Sequence, residues 1–340
     1  MRSLRWFAAL VALCALSMGA ALGEEVATRD FFAMDTYMTF AAYGDAAGSA
    51  LAEAEARVLA LEAAWSVTDP DSRIYALNHA QGRSVDVDAD TLAILRFCLE
   101  MAERTGGLLD PTIYPVLAAW GFTTGEYRVP AQAEIDALLG YVGYAQLELS
   151  ETSARLPAGA QLDLGAVGKG WAGDEAAEVL RDRGVTSALL SLGGNVQAVG
   201  AKPDGSPWRV GVLLPGEATH FCVLEIRDCA VVTSGNDQRY FTGEDGTVYG
   251  HILDPRTGYP ARSGLACATV VGAEGELCDA LSTALFIMGA EAAAGHWRAH
   301  GDFEMVLLSE AGEVYVTEGL ESAFSLAPGC EQMPVTVIRR

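Results

Sequence analysis

Apolar residues Leu51, Ala54, Val58, Leu61 and Trp65 recur every three to four positions, which predicts a helix with one face turned to a core. Leu92, Leu95, Leu99 and Ala102 repeat the pattern, with Asp90 as the expected cap and Gly106-Gly107 as the expected end. Pro130 opens a third predicted helix that runs to Leu139. A fourth extends from near Gly170 to Gly184, with Ala172, Ala176, Val179 and Leu180 facing inward, and a fifth, strongly apolar, from Leu277 to Met288. Strand-like runs crowd the second half, at 160–164, 187–192, 208–214, 221–226, 229–233, 266–272 and 303–308. Helices interrupt them without a clean βαβ alternation. The expected fold class is therefore α+β, a layered mixed sheet and not a Rossmann fold, in a single domain over residues 30–335.

Residues 1–23 depart from this pattern. Arg2 and Arg5 precede an apolar run from Trp6 to Leu22, and Ala21-Leu22-Gly23 offers small residues at a cleavage point. This predicts a signal peptide, with an uncleaved membrane anchor as the alternative, and an exported protein at the extracytoplasmic face. The formal net charge of −23 makes the surface repel phosphate backbones, which argues against nucleic acid as a partner. An anionic ligand would need a local device, such as a metal or oriented amides. Cysteines 98, 222, 229, 267, 278 and 330 include no CxxC pair, so neither a zinc site nor a thioredoxin-type motif is supported.

The segment DLGAVGKGWAGD (163–174) runs from a strand into a helix and formally satisfies GxGxxG from Gly168 to Gly173. The acid that a dinucleotide fold places about twenty residues on is missing, since that region reads SLGGN. A P-loop fails too, because Asp163 stands at the first glycine and Gly170 replaces the Ser/Thr. Two readings remain: a turn whose glycines serve packing, or a phosphate site formed by close backbone amides, a helix N-terminus and Lys169. In CDALSTALFIMG (278–289), Asp279 and Thr283 share one helix face. They suit a hard cation such as Mg2+, or equally the ordinary chemistry of a helix N-terminus. His296 and His300 are spaced as a zinc pair, but with no third ligand near them they read as a solvated helix face.

Together with AMDTYMTF (33–40), WSVTDPDSRIYALN (65–78), GGLLDPTIYPVLAAWGF (106–122), VVTSGNDQRYF (231–241) and HILDPRTGYP (251–260), these segments resemble the ApbE family of flavin transferases, which move FMN from FAD onto a protein threonine. The blocks follow the family's order along nearly all of the mature chain. The resemblance implies an α+β fold, FAD as donor and a divalent metal, Mg2+, at the pyrophosphate. It implies Ala166 (through its carbonyl), Asp279 and Thr283 as metal ligands, and Met34, Leu108, Leu109, Asp110, Asp163, Lys169 and Ile252 as flavin-nucleotide contacts. His251 matches the motif histidine near the reacting phosphate and is the expected general base, with Asp254 orienting it or acting as base itself. The implied partners are acceptor flavoprotein subunits of membrane redox complexes.

This sequence departs from the family pattern at Asp35, where many members carry glycine, and at Thr68, where an aromatic ring often stacks on the ligand. Water in place of the threonine would make the same site an FAD pyrophosphatase releasing FMN and AMP. A flavin-binding protein without turnover would have no need of Asp279, Thr283 and His251.

Overall fold

The computed structural model describes residues 26–236 and 239–340. The predicted signal peptide or anchor lies outside the described residues, and no described helix is long and apolar enough to cross a membrane. Eight helices are described: α1 (Ala47–Trp65), α2 (Arg73–Asn78), α3 (Ala89–Arg104), α4 (Tyr114–Trp120), α5 (Gln132–Leu139), α6 (Gly168–Asp182), α7 (Gly275–Met288) and α8 (Ala290–His300).

The frame is a nine-stranded sheet in the order Val26–Ala33, Thr36–Tyr43, Ser187–Leu192, Asn195–Gly200, Ala230–Gly235, Leu265–Gly272, Glu304–Ser309, Val314–Thr317, Val335–Ile338. Its neighbours are antiparallel except for the last pair, which is parallel. That topology is incompatible with a Rossmann fold, whose parallel strands need a crossover helix between each pair. Alternate side chains serve two cores. Leu190, Val232, Val270 and Leu307 pack with α1, α6 and α7, whereas Val231, Val271, Val306 and Leu308 pack with a three-stranded sheet of Trp208–Leu213, His220–Ile226 and Phe324–Leu326. Burial of both faces explains why these strands read as unbroken apolar runs.

Several local expectations change. The helix predicted from Asp90 is capped by Asp88, whose Oδ1 accepts from Thr91 N–H at 2.8 Å, while Asp90 pairs with Arg57 at 2.6 Å. The third helix begins at Gln132, not at Pro130. Residues 160–164 form no strand: Asn78 uses its side chain to bond both Leu162 C=O (2.9 Å) and Leu162 N–H (2.6 Å), doing the work of a neighbouring strand. The segment DPTIYPVLAAWGF contains α4, which has Pro115 in its first turn and ends at Gly121 with φ of 85°. Cys98, Cys222 and Cys278 are buried as thiols, and burial pushes their pKa values up.

A third, smaller core of Val116, Trp120, Phe122, Ile135 and Leu253 seats the 251–260 loop on α4 and α5. Trp120 Nε1–H donates to Gly258 C=O at 2.8 Å. Gly258 has φ of 71°, and a Cβ there would lie 2.5 Å from Ile135 Cγ2, so both backbone and space demand glycine.

Candidate active site

The N-terminal turns of α6 and α7 meet backbone to backbone. A Cβ on Gly170 would lie 2.2 Å from Gly275 O and 2.6 Å from Asp279 Cβ. This contact settles the glycine question at that position: the residue is required by helix packing, and the packing brings α7's acid to α6's mouth. Gly170 N–H donates to Asp279 Oδ2 at 2.8 Å, and Asp279 is only 3% exposed. The exchange is reciprocal, since Asp174 of α6 accepts from Gly275 N–H and Glu276 N–H of α7, each at 2.8 Å. Lys169 Nζ lies 3.9 Å from Asp279 Oδ2 and donates to Gly165 C=O at 3.1 Å. One turn along α7, Thr283 Oγ1 lies 3.2 Å from Ser234 Oγ, which is 2.8 Å from Ser282 Oγ.

The donor set fits a small hard cation. Gly170, the third residue of α6, carries one of the N–H groups that a helix start leaves without an internal partner, and it bonds Asp279; Ala166 C=O lies just before the helix and receives no helical N–H among the described residues. Ala166 C=O, the Asp279 carboxylate and the Thr283 hydroxyl are all oxygen donors, the type that Mg2+ selects. No group of three His, Cys, Asp or Glu poised for a metal occurs among the described residues, so such a site would rest on one carboxylate and neutral oxygens. His296 and His300 lie against each other at the end of α8, their rings tilted by 38° with centroids 4.3 Å apart.

His251 stands within electrostatic reach of Lys169. Its N–H donates to Arg239 C=O at 3.0 Å, and its Nδ1 lies 3.2 Å from the same oxygen. A carbonyl only accepts, so this contact assigns the proton to Nδ1 and leaves the Nε2 lone pair free. Burial first, then the charges of Arg239 and Lys169, lower the imidazole pKa to about 4 against the opposing effect of the Arg239 hydrogen bond. The ring is thus neutral at neutral pH, as a proton acceptor must be. Phe122 flanks it edge-on at 6.4 Å.

Arg239 also reaches Asp35, Nη2 to Oδ2 at 3.3 Å. Asp35 and Met34 form the tip of the first hairpin with φ of 61° and 49°. Asp35 therefore adopts the left-handed conformation that glycine takes freely and aspartate tolerates, so the departure at this position leaves a tight two-residue turn. Met34 N–H is held by Glu62 Oε1 at 2.6 Å. The SLGGN loop abuts the same hairpin: a Cβ on Gly193 would meet Thr36 Oγ1 at 2.1 Å.

The remaining predicted residues divide by what engages them. Asp163 Oδ1 accepts from Gly165 N–H at 2.7 Å; burial raises its pKa, opposed by that bond and by Lys169 and Arg239. Asp163, Lys169, Arg239 and His251 thus share one electrostatic neighbourhood. Ile252 is buried, its N–H directed to Asn236 Oδ1 at 3.3 Å. Asp110 is buried and accepts from Thr112 N–H, Thr112 Oγ1–H and Tyr144 N–H at 2.9, 2.6 and 2.9 Å. It organises the turn that carries half-buried Leu108 and buried Leu109. Asp254 closes on Arg256, with Oδ2 to Nη2 at 2.7 Å, while the hydrogen bonds of the His251 ring and amide go to Arg239. Thr68 sits in an exposed turn against Ser66, 3.3 Å between hydroxyls.

Arg239, Ser234, Asn236, Glu62 and Asp174 also engage the site, although none stands out in the sequence by residue type and spacing. Arg239, Ser234 and Asn236 all lie inside VVTSGNDQRYF, whose mixture of small and polar residues on a strand end was the available signal. Glu62 and Asp174 sit on amphipathic helices, where a lone acid looks like any solvated position.

A buried carboxylate, hydroxyls and a lysine meet at the mouth of α6, and the Lys169 and Arg239 charges reach the His251 imidazole, a set of groups suited to handling a phosphate. The ApbE family profile matches residues 34–307. A FAD:protein FMN transferase of Treponema pallidum is 33% identical over 250 residues, 68% of this chain and 68% of its own. The crystal structure of the ApbE protein of Thermotoga maritima superposes with a TM-score of 0.83 at 28% identity, covering 88% of this chain and 99% of that one. The apo form of the Pseudomonas stutzeri flavinyl transferase ApbE gives 0.79 at 27% identity, covering 88% and 97%. The chain belongs to the ApbE family and is a transferase enzyme.

Proposed function

We propose that this protein transfers FMN from FAD to a threonine hydroxyl of an acceptor protein, with Mg2+ at the pyrophosphate and AMP as leaving group. The observation that carries this reading is the meeting of Asp279 and Lys169 at the α6 mouth, Oδ2 to Nζ at 3.9 Å, with the neutral His251 imidazole under the influence of the same Lys169 charge. Bound by Ala166 C=O, Asp279 and Thr283, magnesium would supply charge neutralisation at the phosphates. Lys169 and the N-terminus of α6 would take further negative charge. His251 Nε2 would accept the proton of the attacking hydroxyl. The hydroxyl oxygen bonds the FMN phosphorus, the P–O bond to AMP breaks, and the bridging oxygen leaves with AMP. Met34, the Leu108–Asp110 turn, Asp163 and Ile252 would line the nucleotide.

The N-terminal signal of the sequence supports an exported enzyme that matures redox flavoproteins at the membrane, with subunits of membrane redox complexes as acceptors. The test is incubation with FAD, Mg2+ and a candidate acceptor, followed by mass spectrometry of the acceptor. FMN mass added on threonine, with one AMP released, supports the proposal. FMN and AMP released at the same rate with and without acceptor would make it an FAD pyrophosphatase. Flavin bound without turnover would make it a binding protein.

A further inference from the structure

The contact between α6 and α7 has an unusual composition. Its centre is Gly170 against Gly275: a Cβ on Gly275 would meet Gly170 O at 2.9 Å, and one on Gly170 would meet Gly275 O at 2.2 Å. Two glycines face each other with no side chains to interlock, so apolar packing at this point does little to prevent one helix from sliding along the other. Yet the register matters. Asp279 and Thr283 are four residues apart, ~6 Å along the axis, and a shift of one residue moves each by ~1.5 Å and 100° around it. The directional contacts across this junction are polar and few. Gly170 N–H bonds Asp279 Oδ2, and Asp174 bonds Gly275 N–H and Glu276 N–H, all at 2.8 Å.

We propose that Asp174 is a positioning residue, whose paired hydrogen bonds to the first two amides of α7 set that helix's register on α6 and so place Asp279 and Thr283 to hold the divalent cation. Asp174 itself lies one helical turn from the α6 mouth and acts through α7, not on the substrate. Of the two reciprocal contacts, Asp279's would be shared with a bound cation, whereas Asp174's is wholly structural. This makes Asp174 the fixed reference of the pair. The inference rests on the reading of Asp279 and Thr283 as cation ligands.

The test measures Mn2+ binding to the whole protein by electron paramagnetic resonance, without FAD and without turnover. It compares Asp174→Ala, Asp174→Asn, Asp279→Ala and a control, Asp88→Ala, which removes the cap of α3 (Oδ1 to Thr91 N–H, 2.8 Å) far along the chain. Asp174→Ala should weaken Mn2+ binding about 10–100-fold, the range for residues that orient metal ligands. Asp174→Asn, which keeps one acceptor oxygen but turns an NH2 donor towards the other amide, should fall between the wild type and Asp174→Ala. Asp88→Ala should lose thermal stability and leave Mn2+ affinity unchanged. Wild-type Mn2+ affinity in Asp174→Ala, with binding lost in Asp279→Ala, would overturn the positioning role and leave the ligand reading intact. Wild-type affinity in Asp279→Ala would overturn the ligand reading itself. If Asp174→Ala does not fold, Asp174→Asn and Asp174→Ser decide: equal, wild-type affinity in both refutes the proposal, and a graded loss from Asn to Ser supports it.

Discussion

Replacing His251 by alanine separates chemistry from binding. A positioned general base contributes about 10²–10⁴ in rate, which at 1.36 kcal/mol per decade is about 3–5.5 kcal/mol of barrier. The structural cost should be smaller. Residue 251 keeps its N–H to Arg239 C=O at 3.0 Å, and only the ring's 3.2 Å contact with that oxygen and the edge-on approach to Phe122 are removed. Those contacts are worth about 1–2 kcal/mol together. FAD affinity, read by flavin fluorescence, should hold while AMP release and acceptor labelling fall at least about a hundredfold.

The pH profile tests the same residue independently. Because the folded imidazole titrates at about 4 and not at its ordinary 6.5, wild-type kcat/KM should stay level through mild acid and fall as pH drops through about 4. The depressed value also makes the neutral ring a stability determinant. Its contribution is complete above pH 6.5 and is lost as pH falls from there through about 4, because the unfolded chain takes up the proton first. An alanine variant retaining more than about a tenth of the activity, or an acid limb centred near 6.5, would refute the assignment.

Asp279→Ala should abolish the saturable Mg2+ dependence of turnover; a normal magnesium titration in that variant would show that the cation is held elsewhere. Asp254→Asn, which loses charge in the 2.7 Å pair with Arg256, should lower kcat/KM less than about tenfold, below the range of a general base. A loss matching that of His251→Ala would make Asp254 part of the proton path. Gly170→Ala drives a methyl to 2.2 Å from a backbone oxygen, so urea unfolding should show a loss of about 1–3 kcal/mol or more, with weakened metal dependence. An unchanged midpoint would mean that the two helices do not meet as closely as described.

The main helices and four strands of the central sheet, Ser187–Leu192, Ala230–Gly235, Leu265–Gly272 and Glu304–Ser309, were legible along the chain because each element's pattern is local. The 3.6-residue period of α1 and α6, and the apolar runs at 187–192 and 266–272, follow from how those segments must bury their own side chains. The motif blocks were legible for a similar reason, since glycines and acids at short spacing mark turns and helix mouths. The edge hairpin Val26–Tyr43 was not, because VATRDFFA carries exposed polar residues in mid-strand and pairs on one side only. Nor was the limited pairing of 160–164, a single parallel bridge from Gln161 to Ile113, with Leu162 bonded instead by an Asn78 side chain 84 residues away.

The site divides along the same line. Lys169, Asp279 and His251 announce themselves by residue type and neighbours, but their contacts do not. Gly170 reaches Asp279 across 109 positions, and His251 finds its orienting partner in the main-chain oxygen of Arg239, a group that every residue possesses. Each segment's residues decide which hydrogen-bonding groups it must satisfy. Only the folded arrangement decides which distant group satisfies them, and here those long-range partners hold the residues of the proposed site.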